Sequence, residues 1–464
     1  MNESLHPAAK VKSRSLWTSR FGFIMATAGA AVGLGNIWKF PYMAGNNGGG
    51  VFVVLYLVFI LFIGIPAMIA ELLIGRRGRQ NPVNTLAKLS KTIDASPAWQ
   101  NVGWLGSFTL LMVLSFYSVV AGWSIAYLFY ALTGVFVEAS PSEIIALWHT
   151  LLDSPGLLIG WHTLFMILTM GLVARGVNKG IENASKWMMP GLFLILIFLV
   201  LYAGITGNFW EAWRFLFSFK LEDLSTQAVI DALGQAFFSL ATGAGAILIY
   251  GSYLPKKTDV VETVFIIAFL DVLVALLAGL AIFPLVFSHG LSPESGPGLM
   301  FQVLPIVFSH MTGSQFIGTG FFVLLLFAAW TSSISMGEPL VALLNERWRI
   351  SRGRSALYVG LIAWSFGLAS VFSFNLWQDF KIGGRIGLFQ ILTDLPTNIL
   401  LPVGAFLFCI FAGWVLPERD IRDEFDVKSP FVYAVWLTCV RYIAPLGILL
   451  VLLANLFGDS LLVN

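Results

Sequence analysis

The feature that most constrains this chain is a series of long apolar runs along nearly its whole length. About 20 consecutive apolar residues are needed for a helix to cross the hydrocarbon core of a bilayer. Backbone polar groups cannot stay unpaired in lipid, so such runs must be helices, broken only where protein or water lines the break. Eleven membrane spans are predicted, at about 21–43, 48–75, 104–135, 160–176, 184–206, 228–254, 259–289, 318–346, 355–374, 386–415 and 430–458.

The composition favours the same class of protein. Of the 464 residues, 58% are apolar and only 11% are charged, whereas roughly 25% of an ordinary soluble domain is charged. This excludes a soluble multidomain protein, a disordered chain and a basic protein that binds nucleic acid, and it makes the lipid bilayer the expected partner. The two cysteines and five histidines are scattered. They predict no metal cluster, no disulfide framework and no membrane enzyme.

The basic residues predict how the chain is oriented in the membrane. Of the 27 Lys and Arg residues, 21 lie in the N-terminal segment and in alternate loops, and only four lie in the opposite loops. Cytoplasmic loops carry an excess of Lys and Arg. We therefore expect residues 1–20 to form a cytoplasmic segment and, after eleven spans, the C-terminus to be external. Residues 291–317, which contain Pro and Gly, are expected to form an external re-entrant or capping loop.

Two spans carry paired glycines in the middle of an apolar run. Gly33 and Gly35 interrupt the first span, and Gly243 and Gly245 interrupt the sixth. Glycine in a helix costs about 1 kcal/mol relative to Ala, so each pair favours unwinding. An alternative is close helix packing through small residues. However, the two spans open two five-span halves, 21–206 and 228–415, and interrupted spans at corresponding places point to a transporter site in an inverted repeat.

The sequences around these breaks resemble one known family. Gly29-Ala-Ala-Val-Gly-Leu-Gly-Asn-Ile-Trp-Lys-Phe-Pro41, Gly64-Ile-Pro66, Lys179-Gly-Ile-Glu182, Gly234-Gln-Ala-Phe-Phe-Ser239 and Thr331-Ser-Ser333 closely resemble the neurotransmitter:sodium symporters. The matches keep the family's order over nearly the whole chain, and the short chain is similar to the bacterial amino-acid members. The resemblance implies an all-α integral membrane protein with eleven transmembrane helices. It also implies the LeuT-like fold, a 5+5 inverted repeat with helices 1 and 6 unwound at mid-membrane, to which residues 430–464 add span 11.

The resemblance implies two sodium sites. One would use the carbonyl groups of Gly29, Val32 and Ala328 with the hydroxyl groups of Thr331 and Ser332. The alternative is that these hydroxyls only bond to the preceding helical turn. The other site would use the Ala31 carbonyl, Asn36, Ser239 and Asp271 together with the substrate carboxylate.

Two positions in the seventh span depart from the family pattern. Animal members have Asn where this chain has Asp271, and chloride-dependent members have Ser where it has Ala275. A buried carboxylate in a membrane is costly unless it meets a cation. We therefore expect Asp271 to supply the negative charge that chloride supplies elsewhere, so that no chloride is needed. The alternative is that Asp271 only makes hydrogen bonds within the bundle.

The resemblance also implies a substrate pocket. Members that carry monoamines have Asp at the position of Gly33, so a substrate of this chain should bring its own carboxylate. Ala241 and Ala244 replace a Ser and a Phe of a bacterial relative, which makes the pocket larger and less polar. This predicts large hydrophobic, in particular aromatic, L-amino acids. The expected substrate-binding residues are Ala31, Gly33, Leu34, Gly35, Val113, Tyr117, Phe238, Ser239, Ala241, Ala244, Ser332 and Met336.

Gates are implied on both sides of this pocket. The outer gate would be Lys39 with Asp394, covered by the aromatic lid Phe238. The inner gate would comprise Arg14, Trp17, Tyr253 and Glu346, with Arg14–Glu346 as its ion pair; alternatively, Arg14 only anchors the chain at the membrane surface. Gly180 and Pro190 bracket nine residues of the fifth span and are expected to let that helix unwind, although an ordinary proline kink remains open. Glu338 is expected near the inner gate.

Together these features predict a sodium-coupled importer that works by alternating access, with no obligatory protein partner. Its expected location is the bacterial inner membrane. A proton-coupled transporter of the same fold is a rival, although the Thr331-Ser332 pair favours sodium. An amino-acid receptor would share the pocket but would not accumulate substrate. A channel is disfavoured because no span carries a continuous polar stripe.

Overall fold

The computed structural model describes residues 16–290, 298–382, 386–425 and 429–461. Most of these residues are helical. The α-helices are α1 (Arg20–Ala31), α2 (Phe40–Asn46), α3 (Gly50–Phe59), α4 (Ile65–Gly78), α5 (Pro82–Thr92), α6 (Gln100–Leu132), α7 (Pro141–Asp153), α8 (Pro155–Ala174), α9 (Asn183–Thr206), α10 (Phe209–Phe217), α11 (Thr226–Ser239), α12 (Ala246–Ser252), α13 (Val260–Ser288), α14 (Leu304–Ser309), α15 (Ser314–Arg347), α16 (Arg352–Phe372), α17 (Leu388–Asp394), α18 (Leu401–Ile410), α19 (Glu418–Phe425), α20 (Pro430–Thr438) and α21 (Ala444–Leu461).

Shorter elements complete or join several of these helices. Turns of π-helix occupy Gly35–Lys39, Ile60–Gly64, Val177–Glu182, Leu299–Val303, Leu395–Leu400, Phe411–Val415 and Cys439–Ile443, and single 3₁₀ turns occupy Pro97–Trp99 and Leu221–Asp223. Two short antiparallel strands, β1 (Lys381–Ile382) and β2 (Ile386–Gly387), pair with each other. Three of the π turns, Ile60–Gly64, Leu395–Leu400 and Cys439–Ile443, join two α-helices without a break, so that α3 and α4, for example, form one continuous segment.

The predicted spans correspond one to one with helical segments. Within the described residues, nine continuous segments are long and apolar enough to cross a membrane: Gly50–Gly78, Pro97–Leu132, Pro155–Ala174, Val177–Thr206, Val260–Ser288, Ser314–Arg347, Arg352–Phe372, Leu388–Val415 and Pro430–Asn455. The first predicted span is a pair of helices, Arg20–Ala31 and Gly35–Asn46, bent by 51°. The sixth is formed by α11 and α12, which are separated by residues 240–245.

The short helices outside the spans were not predicted. α7 begins with a capping box, in which the Ser140 side chain accepts the Glu143 backbone N–H while Glu143 accepts the Ser140 backbone N–H. This reciprocal pairing satisfies the free donors of a helix N-terminus. Residues 291–297 lie outside the described residues, but the rest of the expected external loop is more helical than predicted. It contains Leu299–Ser309, and α15 already begins at Ser314.

The centre of the bundle is built around α6 and α15. These two helices pack along each other, while α1 and α12 both pack on α15. The two interrupted spans therefore meet the same continuous helix, α15. Cys409 and Cys439 are unpaired and buried.

One end of the bundle collects many basic side chains, and we call it the basic end. There α8 ends and α16 begins, joined by bonds from Arg352 to the Val173 carbonyl. The end of α15 reaches α5 at the same place through Arg347 and Asn84. The basic end thus gathers helix termini whose loops carry most of the Lys and Arg residues of the sequence.

Candidate functional site

At the break in the first span, side chains rather than helical carbonyl groups bond to the free backbone N–H groups. Helix α1 ends at Ala31, and the backbone N–H of Gly33 donates to Asn36 Oδ1 (3.0 Å) while that of Leu34 donates to the Tyr117 hydroxyl (3.1 Å). A Cβ on Gly33 would lie 2.6 Å from Ser332 Oγ and 3.0 Å from the Tyr117 hydroxyl oxygen. The backbone therefore approaches these two polar groups so closely that only glycine fits.

The break in the sixth span is longer and more strained. Ala241, Gly243 and Gly245 have φ values of 52°, 101° and 82°, a region that favours glycine and is costly for Ala. The backbone N–H of Gly243 donates to the fully buried carboxylate of Glu71. Glu71 thus satisfies a backbone group that the missing helical turn leaves free.

The residues of the first predicted cation site lie together between α1 and α15. The Ser332 hydroxyl is 3.2 Å from both the Gly29 and the Val32 carbonyl oxygens. The Thr331 hydroxyl is 3.1 Å from the Ala328 carbonyl oxygen, and it also bonds to the preceding turn at Phe327 (2.9 Å). Thr331 therefore bonds only to the preceding turn of its own helix, which is the alternative given above, whereas Ser332 links α15 to α1. The sequence-predicted set forms one cluster of oxygen atoms.

The residues of the second predicted cation site are connected by hydrogen bonds. Asn36 Nδ2 donates to Asp271 Oδ1 (2.7 Å), to the Asp271 carbonyl oxygen (3.1 Å) and to Ser239 Oγ (3.1 Å). The Ser239 hydroxyl donates to Asp271 Oδ2 (2.5 Å). All three side chains are buried. Several oxygen atoms thus lie close together in this cluster. Oxygen is the ligand type that hard cations prefer.

Tyr56 belongs to this cluster and was missed from the sequence. Its hydroxyl group donates to Asp271 Oδ2 (3.1 Å) and lies 3.0 Å from Ser239 Oγ. The residue is fully buried in the second span. A tyrosine inside an apolar run gives no sequence signal, because aromatic residues are common in membrane spans.

A small cavity of about 40 Å³ lies beside the two clusters. Its wall is almost entirely apolar and includes most of the predicted substrate-binding residues. The predicted residues that line it are Ala31, Gly33, Gly35, Val113, Tyr117, Phe238, Ala241, Ala244, Ser332 and Met336, and the unpredicted ones are Ala30, Leu110, Ala246, Ser335 and Leu401. The other two predicted residues do not line this cavity. Leu34 lines a neighbouring cavity, and the Ser239 hydroxyl is directed to Asp271 in the second predicted cation site.

The neighbouring cavity, of about 330 Å³, lies on the side of Phe238 away from the basic end. Lys39, Asp394, Phe238 and Tyr117 are among its lining residues. The Lys39 ammonium group is 4.6 Å from the centre of the Phe238 ring, a cation–π contact. No ion pair within 4.0 Å joins Lys39 to Asp394 or to any other acid of the described chain. The two predicted outer-gate residues thus line one open cavity without touching.

The opposite side of the pocket is closed by aromatic side chains. Trp17 Nε1 donates to the Tyr250 carbonyl oxygen (3.1 Å), and the Trp17 backbone N–H donates to the Tyr253 carbonyl oxygen (3.3 Å). The Trp17 ring packs edge-on against both tyrosine rings. The residues just before α1 are therefore fixed to the end of α12.

A buried ion pair lies next to this aromatic cluster. Glu338 on α15 pairs with Arg352 and accepts the Tyr253 hydroxyl (2.7 Å). From the sequence, Glu338 is expected near an inner gate, whereas Arg352 is one of the loop cations that predict the orientation of the chain. Glu346 accepts the backbone N–H of Asn81 (2.7 Å) and its side-chain amide (2.9 Å). Its proposed partner Arg14 lies outside the described residues.

Glu182 holds the start of the first span. This fully buried carboxylate accepts the backbone N–H of Thr18 (2.9 Å), the hydroxyls of Thr18 and Ser19, and an ion pair with Lys186 (2.7 Å). Its role could not be predicted from the motif alone, because its partners Thr18 and Ser19 lie more than 160 residues away in the chain.

The fifth span is helical from Val177 to Thr206, with Pro190 inside α9. A Cβ on Gly180 would lie 2.1 Å from the Leu172 carbonyl oxygen. In this structure Gly180 therefore also serves close packing against α8.

Comparisons with known proteins agree with this architecture. The family model described as "Sodium:neurotransmitter symporter family" matches residues 14–144 and 142–460. The uncharacterized sodium-dependent transporter YhdH of Bacillus subtilis (strain 168) is 37% identical, over 95% of this chain and 97% of the relative. An uncharacterized sodium-dependent transporter of Haemophilus influenzae is 34% identical, over 96% and 99%. The crystal structure of MhsT in complex with L-phenylalanine has 38% identity and a TM-score of 0.88, over 96% of this chain and 100% of that chain.

Proposed function

Because the chain belongs to the sodium:neurotransmitter symporter family, we propose that it imports large hydrophobic L-amino acids together with sodium, by alternating access and without chloride. The observation that carries this proposal is the convergence of both breaks on one apolar cavity flanked by two clusters of oxygen atoms. In such a site the substrate carboxylate is itself a sodium ligand, so sodium and substrate raise each other's affinity.

The backbone at the first break suits an α-carboxylate. The Tyr117 hydroxyl lies beside the Leu34 N–H, and the N–H groups of an unwound helix carry a partial positive charge that favours an anion. No acidic side chain occupies position 33, where a carboxylate would repel that of the substrate. The carbonyl groups of Ala31, Phe238 and Ser239 would accept the substrate ammonium group.

Two sodium ions are proposed, one in each cluster. In the second cluster, Asn36 now directs its amide N–H groups at the oxygens of Asp271 and Ser239. A bound sodium ion requires the Asn36 side-chain oxygen instead, so binding would turn this amide and release Gly33 from it. This links cation binding to the backbone that would receive the substrate carboxylate.

The nature of the subsite favours bulky apolar side chains. Ala241, Ala244, Val113 and Met336 present no charge and little polar surface to the cavity. A cavity of about 40 Å³ must widen to admit an aromatic side chain, and the apolar lid Phe238 separates it from the larger outer cavity. The similar protein MhsT was crystallised with L-phenylalanine, which supports this substrate class.

Independence from chloride is proposed from the fixed charge of Asp271. Its carboxylate is buried among three neutral donors, Asn36, Ser239 and Tyr56. A carboxylate in such a place is best stabilised by a cation. The nearby Ala275 is buried and has no hydroxyl group for an anion.

The transport cycle would use both sides of the pocket. We assign residues 21–206 and 228–415 to the two inverted repeats and the basic end to the cytoplasm of a bacterium, with the C-terminus outside. Closure of Lys39 towards Asp394 would seal the outer cavity. Release inside would need Trp17 to leave Tyr253, together with the proposed Arg14–Glu346 pair, and the fifth span to unwind between Gly180 and Pro190.

Purified protein in liposomes with an inward sodium gradient tests the proposal. Labelled tryptophan, phenylalanine or leucine should accumulate, while excess glycine or alanine should compete weakly. Replacing chloride by gluconate should leave uptake unchanged, and a sharp fall would contradict the role given to Asp271. Accumulation driven by a proton gradient without sodium would indicate a proton-coupled transporter. Binding without accumulation would indicate a receptor.

A further inference from the structure

A long apolar groove runs along the outside of the bundle, between α8 and α16, and has a volume of about 460 Å³. It is distinct from the transport site. Each helix contributes one stripe of side chains at three- and four-residue spacing, which is one face of a helix. The lining residues are Thr163, Met166, Ile167, Met170, Gly171 and Ala174 on α8, with Gly353, Ala356, Leu357, Gly360, Leu361 and Trp364 on α16.

The groove has a buried floor and an exposed apolar rim. Met170 and Ala356 on the floor are buried, whereas Ile167 and Leu357 on the rim are 63% and 56% exposed. A Cβ on the lining residue Gly171 would have no neighbour within 4 Å, so a larger side chain there has room to extend into the groove. In a membrane-spanning bundle, this open apolar side faces the hydrocarbon of the bilayer.

The length of the groove matches one leaflet. From residue 163 to residue 174 a helix rises roughly 16 Å, about half of the ~30 Å hydrocarbon core. The groove therefore offers space for a lipid acyl chain that begins at the basic end and stops near the middle of the membrane.

Arg352 closes the groove at the basic end but brings no net charge to it. Its guanidinium group donates to the Val173 carbonyl oxygen (3.0 and 2.8 Å), which ties the two helices together, and it pairs with Glu338.

Two further arginines are adjacent in the chain to lining residues at the same end of the groove. Arg175 directly follows the groove residue Ala174, and Arg354 directly follows Gly353. Both are exposed, and among the described residues neither forms an ion pair. The two exposed arginines next to these lining residues thus carry positive charges that no ion pair of the described residues neutralises.

We propose that this groove binds one anionic phospholipid, with an acyl chain along α8 and α16 and its phosphate group between Arg175 and Arg354. Basic residues between membrane helices bind acidic lipid headgroups in this way. The acyl chain covers the exposed apolar rim, and the headgroup neutralises charges that have no protein partner. This site is independent of the transported substrate and of the number of sodium ions.

Retention of lipid by the purified, delipidated protein tests the proposal. Native mass spectrometry would follow titration with phosphatidylglycerol and with phosphatidylethanolamine of the same acyl chains. One phosphatidylglycerol should be retained at roughly 25-fold lower concentration, because each of the two basic side chains near the headgroup contributes about fivefold in affinity. The double variant Arg175→Gln/Arg354→Gln should lose this preference. Lys256→Gln/Lys257→Gln, which removes two exposed charges from another loop of the basic end, should keep it.

A second pair of variants tests the groove itself. Gly171→Leu adds a bulky side chain at a lining position and should weaken retention of both lipids several-fold. Gly160→Leu is the matched control, since it lies on the same helix, away from the groove, with no atom within 4 Å of an added Cβ.

Three results would overturn the proposal. The first is equal retention of the two lipids by the unaltered protein. The second is an equal loss of preference in the lysine and arginine variants. The third is unchanged lipid retention in Gly171→Leu, and if this variant instead shifts the ratio of monomer to dimer in analytical ultracentrifugation, the groove is a contact between two copies.

Discussion

The two interrupted spans differ in how the unwound backbone at each break is stabilised. The first break is short, bends the span by 51° and is held by the polar side chains Asn36 and Tyr117, both beside the oxygen clusters. The sixth break covers six residues, has three positive φ values and is held from behind by Glu71. Its alanines face the apolar cavity.

Under the proposed function, this difference gives the two breaks different roles. The first break contacts groups that every α-amino acid and every sodium ion share, so its geometry has to be fixed. The sixth break forms the wall for the variable side chain and can change length or shape without disturbing the cations. Substitutions at the first break should therefore abolish transport, whereas those at the sixth should alter stability or specificity.

The largest effect is expected at Gly33. In Gly33→Val the added side chain must displace Ser332 and Tyr117, and overpacking alone costs about 1–3 kcal/mol. Sodium-driven uptake should fall by roughly 100-fold. Gly234→Val on α11, where an added Cβ meets nothing within 4 Å, should transport nearly normally. Comparable uptake by the two variants would show that the first break is not rigid.

Removing the buried charge beside the first break should mainly affect sodium. Asp271→Asn weakens hydrogen bonds to a charged group, which are worth about 1.5–3 kcal/mol. The sodium concentration for half-maximal uptake should rise by about tenfold or more, and Asp153→Asn, at an exposed position, should leave it unchanged. The same sodium dependence in Asp271→Asn would argue that the cluster does not bind the coupling ion.

At the sixth break, loss of Glu71 should reduce stability. Glu71→Leu leaves the Gly243 N–H without its buried acceptor, at a cost of about 1–3 kcal/mol. The thermal midpoint of the detergent-purified protein should decrease clearly. Glu71→Gln keeps an acceptor oxygen and should recover most of the loss, and equal midpoints for the two variants would contradict this role.

Ala244 should control which substrate is preferred. Ala244→Phe fills the wall of the cavity and should weaken competition by tryptophan by about tenfold while affecting leucine much less, because apolar pockets discriminate by about 1–3 kcal/mol per group. Inhibition constants of both amino acids against labelled leucine measure this ratio. An unchanged ratio would place the substrate side chain elsewhere.

The smallest effect is expected at the outer cavity. Lys39→Gln removes the cation–π contact with Phe238, which is worth about 0.5–1 kcal/mol at an exposed site. Equilibrium binding of a labelled amino acid should weaken about two- to fivefold. Loss of all binding would instead make Lys39 part of the substrate site.

The spans and the chemistry at their breaks were accessible from the sequence because both depend on local patterns. Apolar runs define helices in lipid, and the glycine pairs near Gly33 and Gly243 indicate where those helices stop. The residues of the two predicted cation sites followed from the family motifs, and the structure brings Ser332 close to Gly29 and Asn36 close to Asp271.

Other features depend on which face of a helix meets which neighbour, and a single sequence does not contain that information. Tyr56 lies in an apolar run, and nothing in the surrounding sequence predicts its contact with Asp271. Arg352 looked like a loop cation, yet its position opposite Glu338 makes it part of a buried pair. Short helices such as α7 lie outside the lipid, where hydropathy no longer constrains the backbone.

The burial of both cysteines has a practical consequence for following the motion of the gates. Cys409 and Cys439 are shielded inside the bundle, and thiols in such surroundings react slowly with alkylating reagents. A single cysteine introduced at the outer cavity could therefore be labelled selectively with a fluorophore while both native thiols stay in place. The opening and closing of the two sides could then be watched in real time in an otherwise unaltered protein.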